Sequence, residues 1–177
     1  MIIEDFCGIS DDMALMSLAY YFTELLDTYS SDDTGDADLL QLGLNSLYAL
    51  SRKLYPASHV KSAFELRLMC LEGYSPGLDS CFICGKTDTS ELTFSISEGI
   101  CYCEACARSK NIPSRYISQD TYKAMKYICS SSPKKLLSFS AGDEKELSDI
   151  CERYLLHKSE RKFGTLDCYH QYINETD

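Results

Sequence analysis

Lys and Arg are absent from the first 51 residues, although the same stretch carries Glu4, Asp5, Asp11, Asp12, Glu24, Asp27, Asp32, Asp33, Asp36 and Asp38. From Arg52 to Asp177 the chain holds 17 basic and 17 acidic residues, so the formal charge of -10 belongs entirely to the opening segment. That sign excludes a protein that coats nucleic acid by net charge alone. No positively charged start leads into an apolar run and a small-residue cleavage site, so the sequence offers no secretory signal. No uninterrupted apolar run reaches the ~18 residues of a membrane-spanning helix. Neither G-x4-G-K-[ST] nor G-x-G-x2-G occurs, which removes sequence support for nucleotide hydrolysis and dinucleotide redox chemistry. His59, His157 and His170 are widely separated and lack a Ser or Cys partner at motif spacing, so they build no catalytic triad. No internal repeat is visible, and the only low-complexity stretch is the serines at 130 to 132.

What is present suits one globular domain with a small satellite: 177 residues, 45% hydrophobic and 25% charged, enough to bury a core and too apolar for a disordered chain. Ser10 before Asp11 and Asp12 reads as an N-cap, with Met13, Met16, Ala19, Tyr20 and Leu26 at helical spacing to about Tyr29. The stretch from Ser30 to Asp36 has no large apolar residue and reads as a mobile connection. A second helix is predicted from Ala37 to Leu54, with Leu40, Leu44, Leu47 and Tyr48 on one face and Pro56 ending it. Ser58 opens a third through Val60, Phe64, Leu68 and Leu71, and Gly73 sits where a helix end wants a left-handed residue. Two short strand-like runs follow, at 92 to 96 and 100 to 102, with Ser97, Glu98 and Gly99 as the turn. Helical periodicity returns at 118 to 129 through Tyr122, Met125 and Cys129, and again at 143 to 157 through Leu147, Ile150, Tyr154 and Leu155. The expected fold class is mainly α: a helical bundle with an inserted small β-hairpin zinc ribbon. Residues 1–73 form a helical subdomain, 74–110 the insert, and 111–177 a helical subdomain completing the bundle.

Ten cysteines are heavy usage for this length. With no secretory signal the chain reads as cytosolic and reduced, which makes clustered cysteines metal ligands before disulfides. Cys81-Phe-Ile-Cys84-Gly85 and Cys103-Glu-Ala-Cys106 form C-x2-C-x18-C-x2-C, within the spacing of a zinc ribbon. Each C-x2-C turn converges two thiolates on one ion, Gly85 supplies the positive φ of a knuckle, and the hairpin returns the second pair. Four sulfurs complete a tetrahedron with no open position for water or substrate, so the expected Zn2+ is structural. Two disulfides are disfavoured by compartment, and a thioredoxin-like pair lacks a preceding βαβ pattern. Cys101 offers a competing sulfur, and Cys103 is preferred because it keeps the knuckle spacing. Cys7, Cys70, Cys129, Cys151 and Cys168 lie mostly among apolar neighbours and read as small core residues. A cysteine-based redox enzyme would need an exposed thiol of low pKa in a motif, and none stands out.

The block FELRLMCLEGYSPGLDSCFICG, from Phe64 to Gly85, resembles the bacterial recombination mediator family RecO, in which a helix of the type FELxLL-x-L-GY-x-P-x-L precedes the first C-x2-C. The helical start and CERYLLHKSERKF near the end resemble the same family. The resemblance implies a DNA-repair and recombination protein, bacterial, cytoplasmic and nucleoid-associated, with no enzyme activity. It would help load recombinase onto single strands covered by single-strand-binding protein, anneal complementary strands, and work with RecR. Full-length members begin with an OB-fold barrel. No run of five alternating strands precedes the first helix here, so the chain is expected to match the C-terminal helical and zinc-finger region without the barrel. Family members tend to carry a Lys-Ser pair after a basic doublet, whereas Arg161 and Lys162 here are followed by Phe163, Gly164 and Thr165.

Between residues 108 and 135 the basic residues are Arg108, Lys110, Arg115, Lys123, Lys126, Lys134 and Lys135, against Asp120 alone, a local +6. With Tyr116, Tyr122 and Tyr127 interleaved, Arg108, Lys110, Arg115, Lys123 and Lys126 are the candidates for holding single-stranded DNA, by charge and stacking. The same surface suits the acidic, apolar-ended tail of single-strand-binding protein, and it reads equally as a solvated helix face. The competing reading of the whole chain is a zinc-stabilised protein-interaction adaptor that never touches DNA.

Overall fold

The structure, a computed structural model, describes residues 7–30, 37–87 and 92–174, with the Cys7 side chain excepted. The stretch from 31 to 36, expected to be a connection, lies outside the described residues. The chain opens with a single turn, α1 (Cys7–Ser10), followed by α2 (Met13–Tyr29), α3 (Ala37–Ser51) and α4 (Ala57–Leu71). The N-cap of α2 is Asp12, not Ser10: its carboxylate accepts from the Ala14 and Leu15 amides at 3.0 and 3.1 Å. Helix α3 stops at Ser51, three residues short of the expected end. Lys53 adopts a left-handed φ of 50°, and the Leu54 amide folds back to the Ala49 carbonyl at 3.0 Å, closing the helix well before Pro56. Pro56 is instead the N-cap of α4, and Gly73, at φ 85°, follows that helix's end as the sequence suggested.

The apolar stripes expected to be buried on α2 and α3 are not the buried ones. Met13, Tyr20, Leu40 and Leu44 are 51, 63, 60 and 48% exposed, while Leu15, Leu18, Tyr21, Phe22 and Leu25 of α2 and Leu39, Leu42, Ala49 and Leu50 of α3 form the core. Both helices carry apolar residues on two faces, so periodicity alone cannot choose between them. Small residues on α3 decide the matter: a Cβ on Gly43 would lie 2.6 Å from Leu26 Cδ1, so the Gly43 face is the one that approaches α2.

After α4 come β1 (Leu92–Ser95) and β2 (Ile100–Cys103), paired antiparallel with Phe94 opposite Cys101, as expected of the hairpin. Gly99, at φ 74°, closes the turn. A third strand, β3 (Arg115–Tyr116), is too short for alternation along the sequence to reveal; it pairs antiparallel with β1 to give the order β2-β1-β3. Two further helices, α5 (Glu104–Ser109) and α8 (Gly164–Asn174), were not expected, while α6 (Gln119–Ser130) and α7 (Glu144–Ser159) stand where periodicity put them. Ser118 and Asp143 cap α6 and α7 by accepting from the Thr121 and Glu146 amides. Helix α4 is the axis of the bundle, packed against α3, α6 and α7, and α2 packs against α8. Leu92, Phe94 and Cys101 enter the same core as the helices, so the sheet is part of the body on one face. Among the described residues no helix is long and apolar enough to cross a membrane.

A buried ionic cluster lies inside this packing. Lys61 of α4 is 1% exposed and bridges Glu65 of α4 at 2.8 Å and Glu152 of α7 at 2.7 Å. Glu65 also accepts from the Tyr21 hydroxyl at 2.9 Å, and Glu152 meets His170 Nε2 of α8 at 3.0 Å. Four helices thus meet at one set of charges. Along the sequence these residues show only a Lys and a Glu four positions apart.

Candidate metal centre

The first pair of cysteines is shaped by its own backbone. The Gly85 amide donates to the Cys81 carbonyl at 2.9 Å and the Cys81 amide to the Lys86 carbonyl at 2.9 Å, while Gly85 takes φ 70°. This tight turn presents Cys81 and Cys84 on the same side. Phe82 donates its amide to the Cys101 carbonyl at 3.0 Å, which fastens the turn to β2. The second pair sits where β2 becomes α5: Cys103 ends the strand and caps the helix, and Cys106 lies one turn on. Helical spacing of three residues then brings its sulfur beside that of Cys103.

The four sulfurs of Cys81, Cys84, Cys103 and Cys106 all lie within 4.8 Å of one another, and Cys84 Sγ is 3.8 Å from Cys103 Sγ. A tetrahedron with metal–sulfur bonds of about 2.3 Å has sulfur–sulfur edges of about 3.8 Å, so the donor set fits one four-coordinate soft-ligand ion. Cys101 is not among the converging sulfurs: it is fully buried in the main core, and burial pushes its thiol up to about 12. Strand alternation places Cys101 and Cys103 on one face, and the turn into α5 then separates them.

Electrostatics point the same way. Burial pushes the Cys81 thiol up, but the backbone amides of Cys84, Cys103 and Ile83 outweigh it and bring the group down to about 6. Cys106, hydrogen-bonded to Cys103 and in contact with Cys84 and Cys81, is pushed up to about 12. Four thiols this close cannot all ionise unless a cation shares the charge. The site is closed by Tyr102, Ala107, Ile100 and Ile112, a small apolar cluster separate from the main core. Three hydrogen bonds dock the unit on the helices: Tyr122 to the Leu78 carbonyl at 2.6 Å, Tyr154 to the Tyr74 carbonyl at 2.8 Å, and Lys158 to the Ser97 carbonyl at 2.9 Å.

The candidate cations between 108 and 126, part of the local +6, do not stand as a free basic patch. Arg108 pairs with Glu104 and Arg115 with Asp149. Lys126 meets Asp79 at 3.1 Å and Lys123 approaches Asp120 at 4.0 Å. Lys110 is exposed. Glu104, Asp149 and Asp79 all lie outside residues 108 to 135, so a window along the sequence does not see them. Of the interleaved tyrosines, Tyr116 is 58% exposed, whereas Tyr122 is buried and Tyr127 is half-buried with its hydroxyl on the Lys135 carbonyl. One ring, not three, is therefore open for stacking. Of the cysteines expected in the core, Cys151 is fully buried and Cys70 and Cys129 are half-buried. Cys168 is exposed on α8, a correction to that expectation, and the Cys7 side chain lies outside the described residues. His59 is stacked between Tyr55 and Phe139 and bonds the Leu137 carbonyl, a structural role.

Comparison with known proteins agrees with the resemblance carried by residues 64 to 85. Residues 10–167 match the family model described as Recombination protein O C terminal. The chain is 30% identical over 168 residues to the DNA repair protein RecO of Acetivibrio thermocellus, covering 94% of this chain and 66% of that protein. It is 30% identical over 139 residues to the RecO of Caldicellulosiruptor bescii, covering 78% and 55%, and 24% identical over 172 residues to that of Clostridium novyi, covering 95% and 65%. The chain thus spans between about half and two thirds of the length of these relatives. With a match that runs from the first long helix through the four cysteines into the last one, the chain belongs to the RecO C-terminal family.

Proposed function

We propose that this chain serves as the C-terminal part of a recombination mediator in DNA repair, working by scaffolding and binding and not by covalent chemistry. The observation that carries this reading is the family match across residues 10–167, together with four converging cysteines at zinc-ribbon spacing. Zn2+ is the ion best suited to four thiolates in a closed tetrahedral site, held by Cys81, Cys84, Cys103 and Cys106. Its role is to hold the ribbon's shape, since the small cluster around it has too little apolar surface to fold alone.

The partners proposed are the tail of single-strand-binding protein, RecR and single-stranded DNA, with Arg108, Lys110, Arg115, Lys123 and Lys126 as the contact residues for the tail or the DNA. The intramolecular pairing of Arg108, Arg115, Lys123 and Lys126 leaves less free positive charge for phosphate and for an acidic tail alike. It therefore supports the second reading, a zinc-stabilised adaptor that does not bind DNA. Titrating a labelled tail peptide of single-strand-binding protein into the zinc-loaded chain tests the mediator role directly. Saturable binding weakened by Lys123→Glu and Lys126→Glu is expected; no binding at high peptide concentration would reject the proposal in favour of the adaptor. A parallel titration with single-stranded DNA at two salt concentrations separates phosphate contact, which falls steeply with salt, from its absence.

A further inference from the structure

Helix α2 keeps an exposed apolar face. Met13 and Tyr20 stand out from it, and helical spacing puts Met16, Tyr20, Thr23 and Asp27 on one stripe. A hollow of about 280 Å³ opens beside Tyr20 between α1, α2 and α3, with Ile9, Ala19 and Leu47 among its walls. A second, of about 230 Å³, opens between α2 and α8, against Met13, Cys168 and Tyr172. Met16 and Tyr20 line both, so the two hollows form one groove with Tyr20 as its ridge. Leu44 and Leu40, exposed on α3, continue the apolar surface one and two turns from Leu47.

The rim of this groove is acidic. Asp11 is exposed next to Ser10, a wall of the first hollow, and Asp27 is exposed one turn beyond Thr23, another wall. Asp167 is exposed next to Cys168, and Glu24 accepts from the hydroxyl of Thr165, both walls of the second. The four helices that frame the groove, α1, α2, α3 and α8, contain no Lys or Arg. Arg161 and Lys162, just before α8, line neither hollow. By contrast Asp79, Glu104 and Asp149 each face a basic side chain of the chain itself. An apolar groove ringed by one sign of charge repels a nucleic-acid backbone or an anionic lipid surface and attracts a cationic amphipathic segment. Met13 and Met16 suit such a partner, because flexible thioethers repack around different apolar side chains.

We propose that this face of α2 docks a Lys- or Arg-rich amphipathic helix of a partner protein, its apolar side chains entering the hollows on either side of Tyr20 and its cations facing Asp11, Glu24, Asp27 and Asp167. Apolar anchors at helical spacing in a hydrophobic groove supply the affinity, and the acidic rim sets the sign of the partner. The surface is separate from the basic residues proposed to meet the acidic tail of single-strand-binding protein, so failure of either proposal leaves the other standing.

The test uses the zinc-loaded full chain and a dye-labelled synthetic helix of about 15 residues, with Leu at helical spacing on one face and Lys elsewhere, followed by fluorescence anisotropy at about 0.15 M salt. Saturable binding with a Kd on the order of 10 μM is expected, and amide exchange should slow in α2 and α8. Met13→Ala with Tyr20→Ala should weaken binding about tenfold or more; both side chains are exposed, so circular dichroism should not change. Asp11→Asn with Asp27→Asn should weaken it about threefold to tenfold, whereas Asp79→Asn with Asp120→Asn, the same change in net charge, should leave it within about twofold. Equal binding of a scrambled peptide of the same composition would reduce the effect to net charge and overturn the proposal. Slowed exchange on another face, or binding of vesicles that carry anionic lipid, would overturn it too. Dimerisation of the chain that Tyr20→Ala abolishes would make a second copy the occupant and reject a foreign helix. Should the variants fail to fold, the exchange map of the wild-type chain decides between these outcomes.

Discussion

Glu65 offers the sharpest quantitative expectation. It is fully buried, one carboxylate oxygen holds Lys61 and Tyr21, and its Oε2 has no hydrogen-bond partner. Burial raises its pKa from 4.5 to about 7 despite the attraction of Lys61. A folded-state pKa above the unfolded value means that the native state binds the proton more tightly. The group therefore contributes stability below pH 4.5 and loses that contribution as pH rises through about 7. Across the full window the loss is about 3 kcal/mol, and between about pH 5.5 and pH 8 it is about 2 kcal/mol. Glu65→Gln keeps the shape and cannot titrate, so its stability relative to wild type should improve by about 2 kcal/mol over that interval. Urea denaturation of the zinc-loaded proteins, followed by tyrosine fluorescence and circular dichroism at both pH values, measures this directly. Any loss of metal at the lower pH affects both proteins alike and cancels in the difference. Parallel pH profiles would refute the reasoning and would mean that Glu65 is ionised throughout, held so by Lys61.

Lys61→Met should be far more damaging at about pH 8, by about 3–5 kcal/mol, because it leaves Glu65 and Glu152 without their shared cation; equilibrium denaturation checks it, and a loss under about 1 kcal/mol would contradict the cluster's role. Gly99→Ala should cost about 2–3 kcal/mol in the same denaturation assay, since φ is 74° and a Cβ would lie 2.6 Å from the Tyr154 hydroxyl, which is itself held by Tyr74. Tyr154→Phe should cost about 1–2 kcal/mol by leaving the Tyr74 carbonyl unpaired, with the loss read as faster amide exchange in the ribbon. Chelating the metal should expose amides from 74 to 110 to exchange while the α4–α7 pair stays protected; uniform protection after chelation would deny the ion a structural role.

The convergence of four cysteines was legible because its chemistry is local: two C-x2-C turns and a glycine name four sulfurs without any knowledge of tertiary packing. The Cys101 ambiguity needed the strand-to-helix junction at Cys103, which composition does not encode. Helices α4, α6 and α7 were legible because each begins at a polar residue, read as Ser58, Ser118 and Asp143 respectively, next to a run of apolar residues at helical spacing, although Pro56, read as the end of the helix before, is the residue that caps α4. On α2 and α3 the apolar residues occupy two faces, so Leu40 and Leu44 looked buried until Gly43 showed which side meets Leu26. The basic run misled for a different reason, because charge counted along a sequence interval omits Asp79 and Asp149, which fold in from elsewhere to pair with Lys126 and Arg115. The Lys61, Glu65 and Glu152 cluster was invisible because its members sit 91 residues apart at the extremes and only burial distinguishes them from ordinary surface charges.

The central claim is that Cys81, Cys84, Cys103 and Cys106 hold one zinc ion, and metal analysis of the reduced chain combined with zinc-edge X-ray absorption tests it most directly. The account predicts about one zinc per chain with four sulfur neighbours at about 2.3 Å, unchanged in Cys101→Ser and lost in Cys103→Ser. Zinc near zero, nitrogen or oxygen in the first coordination sphere, or loss of the ion in Cys101→Ser would contradict it.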